Sequence, residues 1–420
     1  MITKKPRILT FTHYGELYGA NRSLLTLLIA LRDKIDWWVI CKEESEFSRE
    51  LRQQNIRYSI VPFTNDVYMQ KKRFQWLNSI KRTVYNVAVG LYTAFIARKH
   101  GVDLIYTNSS VIFIGAVTSF FSGRKHIWHI REFVYDDYKL TYLLGERAFR
   151  FWANKASAII CISKSIQKRR VLSKDINVKS VIIYNGLVSD QSKATVRPSP
   201  VKPTVLGIVG VIDPAKNQLA AIKAVHELVK RGKFVVLNIV GSVSSQAYFE
   251  TLKTYISEHG LNEYVNFTGF CKDVSAIFKS IDITLMCSPH EAFGRVTVES
   301  MMHGVPVVAY KSAGTVEIID HEITGLLYHD EKNALTTQLT RLMTDDDLYK
   351  KISSRASKVA RENFTIKSYA DQFAQLVYSL TANCATSGGA NWLSVTLGAN
   401  FMSTCAVVTD QILICPTLLV

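Results

Sequence analysis

Two short apolar runs, Ile281 to Met286 and Val305 to Ala309, enclose the stretch that most restricts how this chain can fold. Both have the unbroken apolarity of strands buried on two faces, which belongs to parallel sheets. Between them, Ser288-Pro289 leads to Glu291, Phe293-Gly294 marks a turn, and Val296 to His303 carries apolar residues at helical spacing before Gly304 ends the helix. A strand, a helix and a second strand in this order place Glu291 on the strand-to-helix loop and Glu299 about two turns into the helix. The backbone N–H groups of the first helical turn then point at the gap between the carboxylates, a ready anion site. An anion site flanked by acceptors for hydroxyl hydrogens suits a nucleotide sugar, in which a diphosphate lies between two polyols. By itself a Glu-x7-Glu pair is better explained by a solvated helix face with an N-terminal dipole partner, so the surrounding chain has to decide.

The surrounding chain repeats the pattern. Arg7 to Thr12 is an apolar run followed by a loop with Gly15 and Gly19, then Ala20, Asn21 and a helix expected over Ser23 to Leu31. Further strands are expected at Trp37 to Cys41, Tyr58 to Pro62, Leu104 to Ser110, the run ending at His129, Ala158 to Ile162, and Val181 to Asn185-Gly186. A second series opens at Thr204 to Gly210 and continues through Val235 to Gly241 and Tyr264 to Phe270. The chain is longer than the roughly 250–300 residues that one core supports, so two domains are expected. No Gly-x-Gly-x-x-Gly is present, which removes the dinucleotide fingerprint. Gly15 and Gly19, read alone, are ordinary turn glycines.

The 290–319 stretch resembles the donor-binding signature of glycosyltransferase family 4, retaining enzymes of GT-B fold. The likeness rests on Glu291 and Glu299, on Phe293-Gly294, on Gly304 to Ala309, and on Gly314-Thr315-Val316-Glu317-Ile318-Ile319. It extends over about residues 7–380. The resemblance implies an α/β chain of two doubly wound Rossmann-like domains facing a central cleft. It gives an acceptor-side domain over 1–188, a linker over 189–203, a donor domain over 204–364, and a crossover helix over 365–380 that returns to the first domain. It implies donor contacts from Gly19, Ala20, Asn21, Gly210, Lys216, Gly241, Phe270, Cys271, Glu291, Phe293, Gly294, Arg295, Val296 and Glu299. It casts His129, Glu291 and Lys216 as the residues nearest the chemistry, with Glu291 on the sugar, Glu299 on the ribose, and His129 on the reacting face. His126, at the start of the same strand, is the competitor on the wrong side. The family also places an Arg where Val211 stands, and Arg295 is the expected replacement. No cofactor or metal is implied. Asp345-Asp346-Asp347 reads as a helix start, and Cys271 has no basic neighbour in sequence to make it a nucleophile.

Charge adds a partner. The formal net charge is +16, which calls for something acidic. Residues 71–99 hold seven basic and no acidic side chains, interleaved with Phe74, Trp76, Leu77, Ile80, Tyr85, Leu91, Tyr92 and Phe95. Such a helix fits an anionic membrane face, or else a core helix with a solvated basic face. No nucleic-acid recognition motif accompanies it. Seven scattered cysteines and the lack of an apolar leader after Met1 fit a cytoplasmic protein, in contact with the membrane at most from that side. The acceptor is expected to be a lipid-linked glycan in cell-surface polysaccharide or glycolipid assembly. Two other functions fit parts of the sequence: a non-catalytic GT-B protein on an anionic membrane, and a GT-B sugar-nucleotide epimerase. A phosphorylase would need a cofactor-bearing lysine site that the sequence does not offer. Residues 381–420 contain one charge, Asp410, and receive no function.

Overall fold

Each unbroken apolar run becomes a parallel strand. The computed structural model describes residues 5–69, 75–189, 195–200 and 202–382. The first series forms β1 (Arg7–Phe11), β2 (Asp36–Cys41), β3 (Tyr58–Ile60), β4 (Leu104–Thr107), β5 (Lys125–Ile130), β6 (Ala158–Cys161) and β7 (Ser180–Ile182), all parallel, in the order β3-β2-β1-β4-β5-β6-β7. The second forms β8 (Thr204–Val209), β9 (Val235–Val240), β10 (Val265–Gly269), β11 (Ile283–Met286), β12 (Val307–Tyr310) and β13 (Leu326–Tyr328), in the order β10-β9-β8-β11-β12-β13. In both sheets the strand order reverses beside the first strand. A doubly wound sheet opens its ligand crevice there, beyond the carboxyl ends of its strands. The fold is the GT-B arrangement of two Rossmann-like sheets.

The helices used below are α1 (Gly19–Ala30), α2 (Gln75–Lys99), α3 (Ile114–Ser122), α4 (Gly145–Ala153), α5 (Gln218–Lys230), α6 (Arg295–Met302) and α7 (Ile366–Thr381). Helix α1 starts four residues earlier than the sequence spacing suggests, because the preceding loop is tied down from inside the helix. Asn21, fully buried, donates through Nδ2 to the carbonyls of Tyr14 and Glu16, each at 2.9 Å, and accepts from the Thr12 hydroxyl at 2.5 Å.

Met1–Thr381 forms one compact unit, and Ala382–Val420 forms a second that is described only at Ala382. The expected tail reading, the start of the basic segment at 71–74, and positions 190–194 and 201 of the expected linker lie outside the described residues. The first unit's chain crosses between the sheets twice, side by side. Leu187 and Val188 donate to the Phe364 carbonyl at 2.9 and 3.1 Å, and Ile366 donates back to Val188 at 2.9 Å. Gly186 permits this closeness: a Cβ there would lie 2.7 Å from the Ile366 Cα. From that crossing α7 runs onto the first sheet, where Phe373 packs against Trp37 and Tyr106.

The reading of α2 as a core helix with a solvated basic face holds only in part, since Ala97, Val89 and Ile96 reach the core but most of its large apolar residues are exposed. Its inner face is small and polar: Ser79, Asn86, Gly90, Thr93, Ala94 and Ala97 are the buried positions. A Cβ on Gly90 would meet Val117 of α3 at 2.5 Å, and the Thr93 and Thr118 hydroxyls share a hydrogen bond of 2.6 Å. Close packing of α2 on α3 therefore needs small residues; Val89 and Ile96 still pack half-buried against the core, and most of the other large apolar ones face out.

Candidate functional site

Loops from the carboxyl ends of both sheets enclose a cleft of about 1060 Å³. From the second sheet, β8 is followed by Gly210 and β9 by Gly241, both at positive φ (147° and 156°). A Cβ on Gly241 would sit 2.0 Å from the Gly210 carbonyl oxygen, so only glycine lets these strand ends converge. After Gly210 the chain makes a short 3-10 turn, Pro214–Lys216, capped by the Asp213 carboxylate on the Ala215 N–H at 3.0 Å. This turn holds Lys216 in the cleft, where its ammonium contacts the Glu291 carboxylate at 2.7 Å. The Lys216 and Glu291 side chains are 24% and 16% exposed, deep enough for the pair to be weakly screened. Burial opposes the Lys216 charge, but Glu291, Tyr138 and Asp137 outweigh it and hold the ammonium above the ordinary lysine value.

The same cleft holds a second pair. Gly294, with φ of 102°, turns the chain into α6, whose first turn carries no side-chain cap. Arg295 at the first helical position reaches Glu299 at 2.8 Å and donates to the Ser23 hydroxyl of α1 at 2.9 Å, thereby bridging the two sides of the cleft. A Cβ on Gly19 would approach the Arg295 Cδ at 3.3 Å, so Gly19 leaves room for that bridge. The buried Thr297 hydroxyl in the same turn has no hydrogen-bond partner. Gly19, Ala20, Gly210, Lys216, Gly241, Phe270, Cys271, Glu291, Phe293, Gly294, Arg295, Val296 and Glu299 all line this one cleft. Phe293 is nonetheless 3% exposed and stacks on Tyr184 at 5.9 Å, so its ring mainly seats the loop.

Two expected contacts are placed elsewhere. Asn21 staples the loop behind α1 and does not line the cleft. His129 lies within β5, fully buried and off the cleft wall, with Nδ1 hydrogen-bonded to the Tyr106 hydroxyl at 2.8 Å. Burial, and then the nearby Arg131, press its pKa well below the usual imidazole value, so it is neutral. The strand continues for one residue past His129 before it opens into the loop, and the side chains that reach the cleft come later. Arg131, 6% exposed, lines the cleft and is held by neutral partners: Asn108 Oδ1 at 2.6 Å, Asn185 Oδ1 at 2.8 Å and the Tyr369 hydroxyl at 3.0 Å. Glu132 beside it accepts from Ser109 and Ser110.

The loop that follows was invisible to sequence spacing. Val134 has φ of 73° and ψ of −71°, a conformation that a β-branched residue enters only under constraint. It folds the chain back so that Asp137 accepts from the Phe133 N–H at 2.7 Å through Oδ2, while the buried Oδ1 has no partner. Burial raises the Asp137 pKa to about 7, with Glu291 and Glu132 adding to the rise. Asp137 and Tyr138 both line the cleft. His13 lines it as well, and burial with the charges of Lys42 and Arg131 lowers its pKa to about 3. Six lysines and arginines and four carboxylates line the cleft in all, which leaves it short of negative charge.

Residues 190–359 match the family model described as Glycosyl transferases group 1. The chain is 31% identical over 144 residues to a 2-deoxystreptamine glucosyltransferase of Streptomyces kanamyceticus, covering 34% of this chain and 36% of that one. It is 22% identical to the putative glycosyltransferase YtcC of Bacillus subtilis (strain 168), covering 64% of this chain and 70% of that one. The match to D-inositol 3-phosphate glycosyltransferase of Corynebacterium efficiens, 29% identical, covers 45% of this chain and 46% of that protein. The chain thus spans less than half the length of two of these three curated relatives. Among solved structures, Anabaena Alr3699/HepE in complex with UDP has 25% identity and a TM-score of 0.74, over 89% of this chain and 100% of that one. The same protein with UDP-glucose gives a TM-score of 0.73.

Proposed function

We propose that this chain, a GT-B glycosyltransferase of the family 4 type, moves a sugar from a nucleoside-diphosphate donor to an acceptor hydroxyl. One observation carries the reading: the pairs Lys216–Glu291 and Arg295–Glu299 line one cleft together with the uncapped start of α6, and that cleft has surplus positive charge. A diphosphate occupies that charge, and the carboxylates turn to the hydroxyls of the sugar and ribose on either side. HepE, similar over its whole length, is described in complex with UDP and with UDP-glucose.

The bond from the anomeric carbon to the diphosphate oxygen breaks, its electron pair leaving with the diphosphate, and the acceptor oxygen forms the new bond. Lys216, Arg295 and the N–H groups after Gly294 stabilise the departing charge, which is where fixed donors in a water-poor site contribute most. Glu291 holds the sugar and Glu299 the ribose. The transfer retains anomeric configuration and uses no metal, since the two cations and the helix N-terminus supply the positive charge. The unpartnered Asp137 Oδ1 receives the hydrogen of the acceptor hydroxyl. His129 acts from beneath, by fixing Tyr106 and Arg131. The acceptor is a lipid-linked glycan or glycolipid, met at the cytoplasmic face of an anionic membrane.

The test is a thermal-shift screen of UDP, GDP, ADP and their sugars on the native chain and on Glu299→Ala. One nucleotide raising the melting temperature, with the shift lost in the variant, supports the reading. No shift with any nucleotide sinks it. Turnover of the sugar that binds, unchanged by a chelator, checks metal independence.

A further inference from the structure

The helix α2 is amphipathic in the reverse sense. Its fully buried positions are small or polar, with Val89 and Ile96 half-buried beside them, and its outward side carries Trp76, Ile80, Val84, Leu91, Tyr92 and Phe95. Trp76, Val84 and Phe95 are 62%, 64% and 63% exposed, in one stripe that runs the length of the helix. Exposed apolar residues scattered singly need no explanation, but a contiguous stripe of large ones marks a contact surface. Large apolar residues are also exposed on neighbouring elements. Exposed Phe120 of α3 packs edge-on to Trp152 of α4 at 6.0 Å, beside exposed Phe151.

The charge around the stripe selects its partner. Lys81, Arg98 and Lys99 are exposed on the outward side of α2, and residues 75–102 contain no Asp or Glu. A two-fold contact with a second copy would bring these cations face to face. The segment 383–420 has one acidic residue, Asp410, too few to answer them. An anionic bilayer answers both halves of the pattern, with acyl chains for the aromatic and aliphatic stripe and headgroups for the lysines and arginines.

We infer that the outward face of α2, extended by Phe120 and Phe151, docks this protein flat on an anionic lipid surface. The inner side of the same helix reaches the cleft: Arg82 lines it and donates to the carbonyls of Asn65 and Val67. Docking through α2 therefore sets the acceptor side of the cleft close to the bilayer. That last consequence rests on the sugar-transfer reading, whereas the docking itself does not.

The experiment is flotation of the full chain with phosphatidylcholine vesicles, with and without phosphatidylglycerol, at low and high salt. Native protein is expected to float only with the anionic vesicles, less so in high salt. The double variant Val84→Glu/Phe95→Glu should lose binding by about tenfold or more, because two inserted side chains become charged. Lys81→Glu/Lys99→Glu should weaken it by about thirtyfold or more, since each surface cation contributes about 1 kcal/mol and each is also reversed. Thermal shift with UDP on each variant reports that the fold and the nucleotide site are intact. Native protein that stays with neither vesicle, or an apolar-stripe variant that floats as well as native, overturns the inference. So does a native dimer in light scattering that Val84→Glu/Phe95→Glu converts to monomer, which would identify a second copy as the occupant. Vesicle binding without any nucleotide shift would leave docking standing and remove the sugar-transfer reading.

Discussion

At Lys216 and Glu291, charge is poised but not free. Each side chain is the other's partner at 2.7 Å, as are Arg295 and Glu299 at 2.8 Å, so a bound diphosphate has only to compete for cations already held in place. Under the proposed sugar transfer, removing Lys216 leaves Glu291 as an unpaired carboxylate facing the departing phosphate. Lys216→Ala is therefore expected to lower kcat by about 10²–10³-fold. If Arg295 takes over the role for which Val211 has no charge, Arg295→Ala falls in the same range; unchanged turnover there, with Lys216→Ala inactive, would remove Arg295 from the mechanism. Asp137 gives a second prediction at this scale. Its folded pKa of about 7 lies above the value of about 3.9 for an unfolded Asp. Between those values the folded state binds the extra proton, so this group's contribution to stability is greatest at low pH and is lost as pH rises toward 7. Asp137→Asn should flatten the fall in melting temperature over that window. If the carboxylate accepts the acceptor hydroxyl, the same variant should lose about 10²-fold in kcat and the rise of native activity through pH 7.

Glu291, Lys216 and Glu299 were legible in the sequence because local elements place them: a loop, a 3-10 turn and the second turn of α6, each set by near neighbours. His129, Asn21, Arg131 and Asp137 were not, because tertiary packing decides which side of a strand or loop faces the cleft. Both His126 and His129 on β5 are buried, so the order of strands, not their spacing, decides what reaches the cleft. Asp137 depends on the constrained backbone at Val134, which no local preference encodes. The same holds for α2, where apolar spacing gave a helix but not the direction of its face. One residue in the sequence signature has an element-scale role. Glu317 accepts from the Lys164 and Ser165 N–H groups at 2.7 and 2.8 Å and from the Tyr184 hydroxyl at 3.0 Å, and so ties the second sheet's loop to a turn after β6. Glu317→Ala leaves those donors without a partner, and urea denaturation should show a loss of about 1–3 kcal/mol. Gly186→Ala is expected to cost a similar amount, because its Cβ meets backbone at the paired crossings and cannot displace a flexible tip.

For the whole molecule, the net charge of +16 and the six basic residues lining the cleft act at different ranges. The ion pairs inside the cleft are closer than any screening length and partly shielded from solvent, so salt hardly alters them. The field that draws an anionic donor from solution is long-ranged, and it weakens as the screening length falls from about 30 Å at 0.01 M salt to about 10 Å at 0.1 M. A positively charged cleft in a positively charged protein should therefore capture its donor faster at low salt. Over that range of sodium chloride, kcat/KM for the nucleotide sugar is expected to fall several-fold, while kcat, measured with donor in excess, stays within about twofold. Equal loss of both would mean that salt reaches the paired charges themselves, and that Lys216–Glu291 and Arg295–Glu299 are open to solvent during turnover. Reversing Lys81 and Lys99, which lie on the outer face of α2, takes the net charge from +16 to +12 and should reduce this salt dependence without changing kcat in the absence of lipid. The charge on the outer face of α2 and the charge in the cleft would then be separable functions of one basic protein.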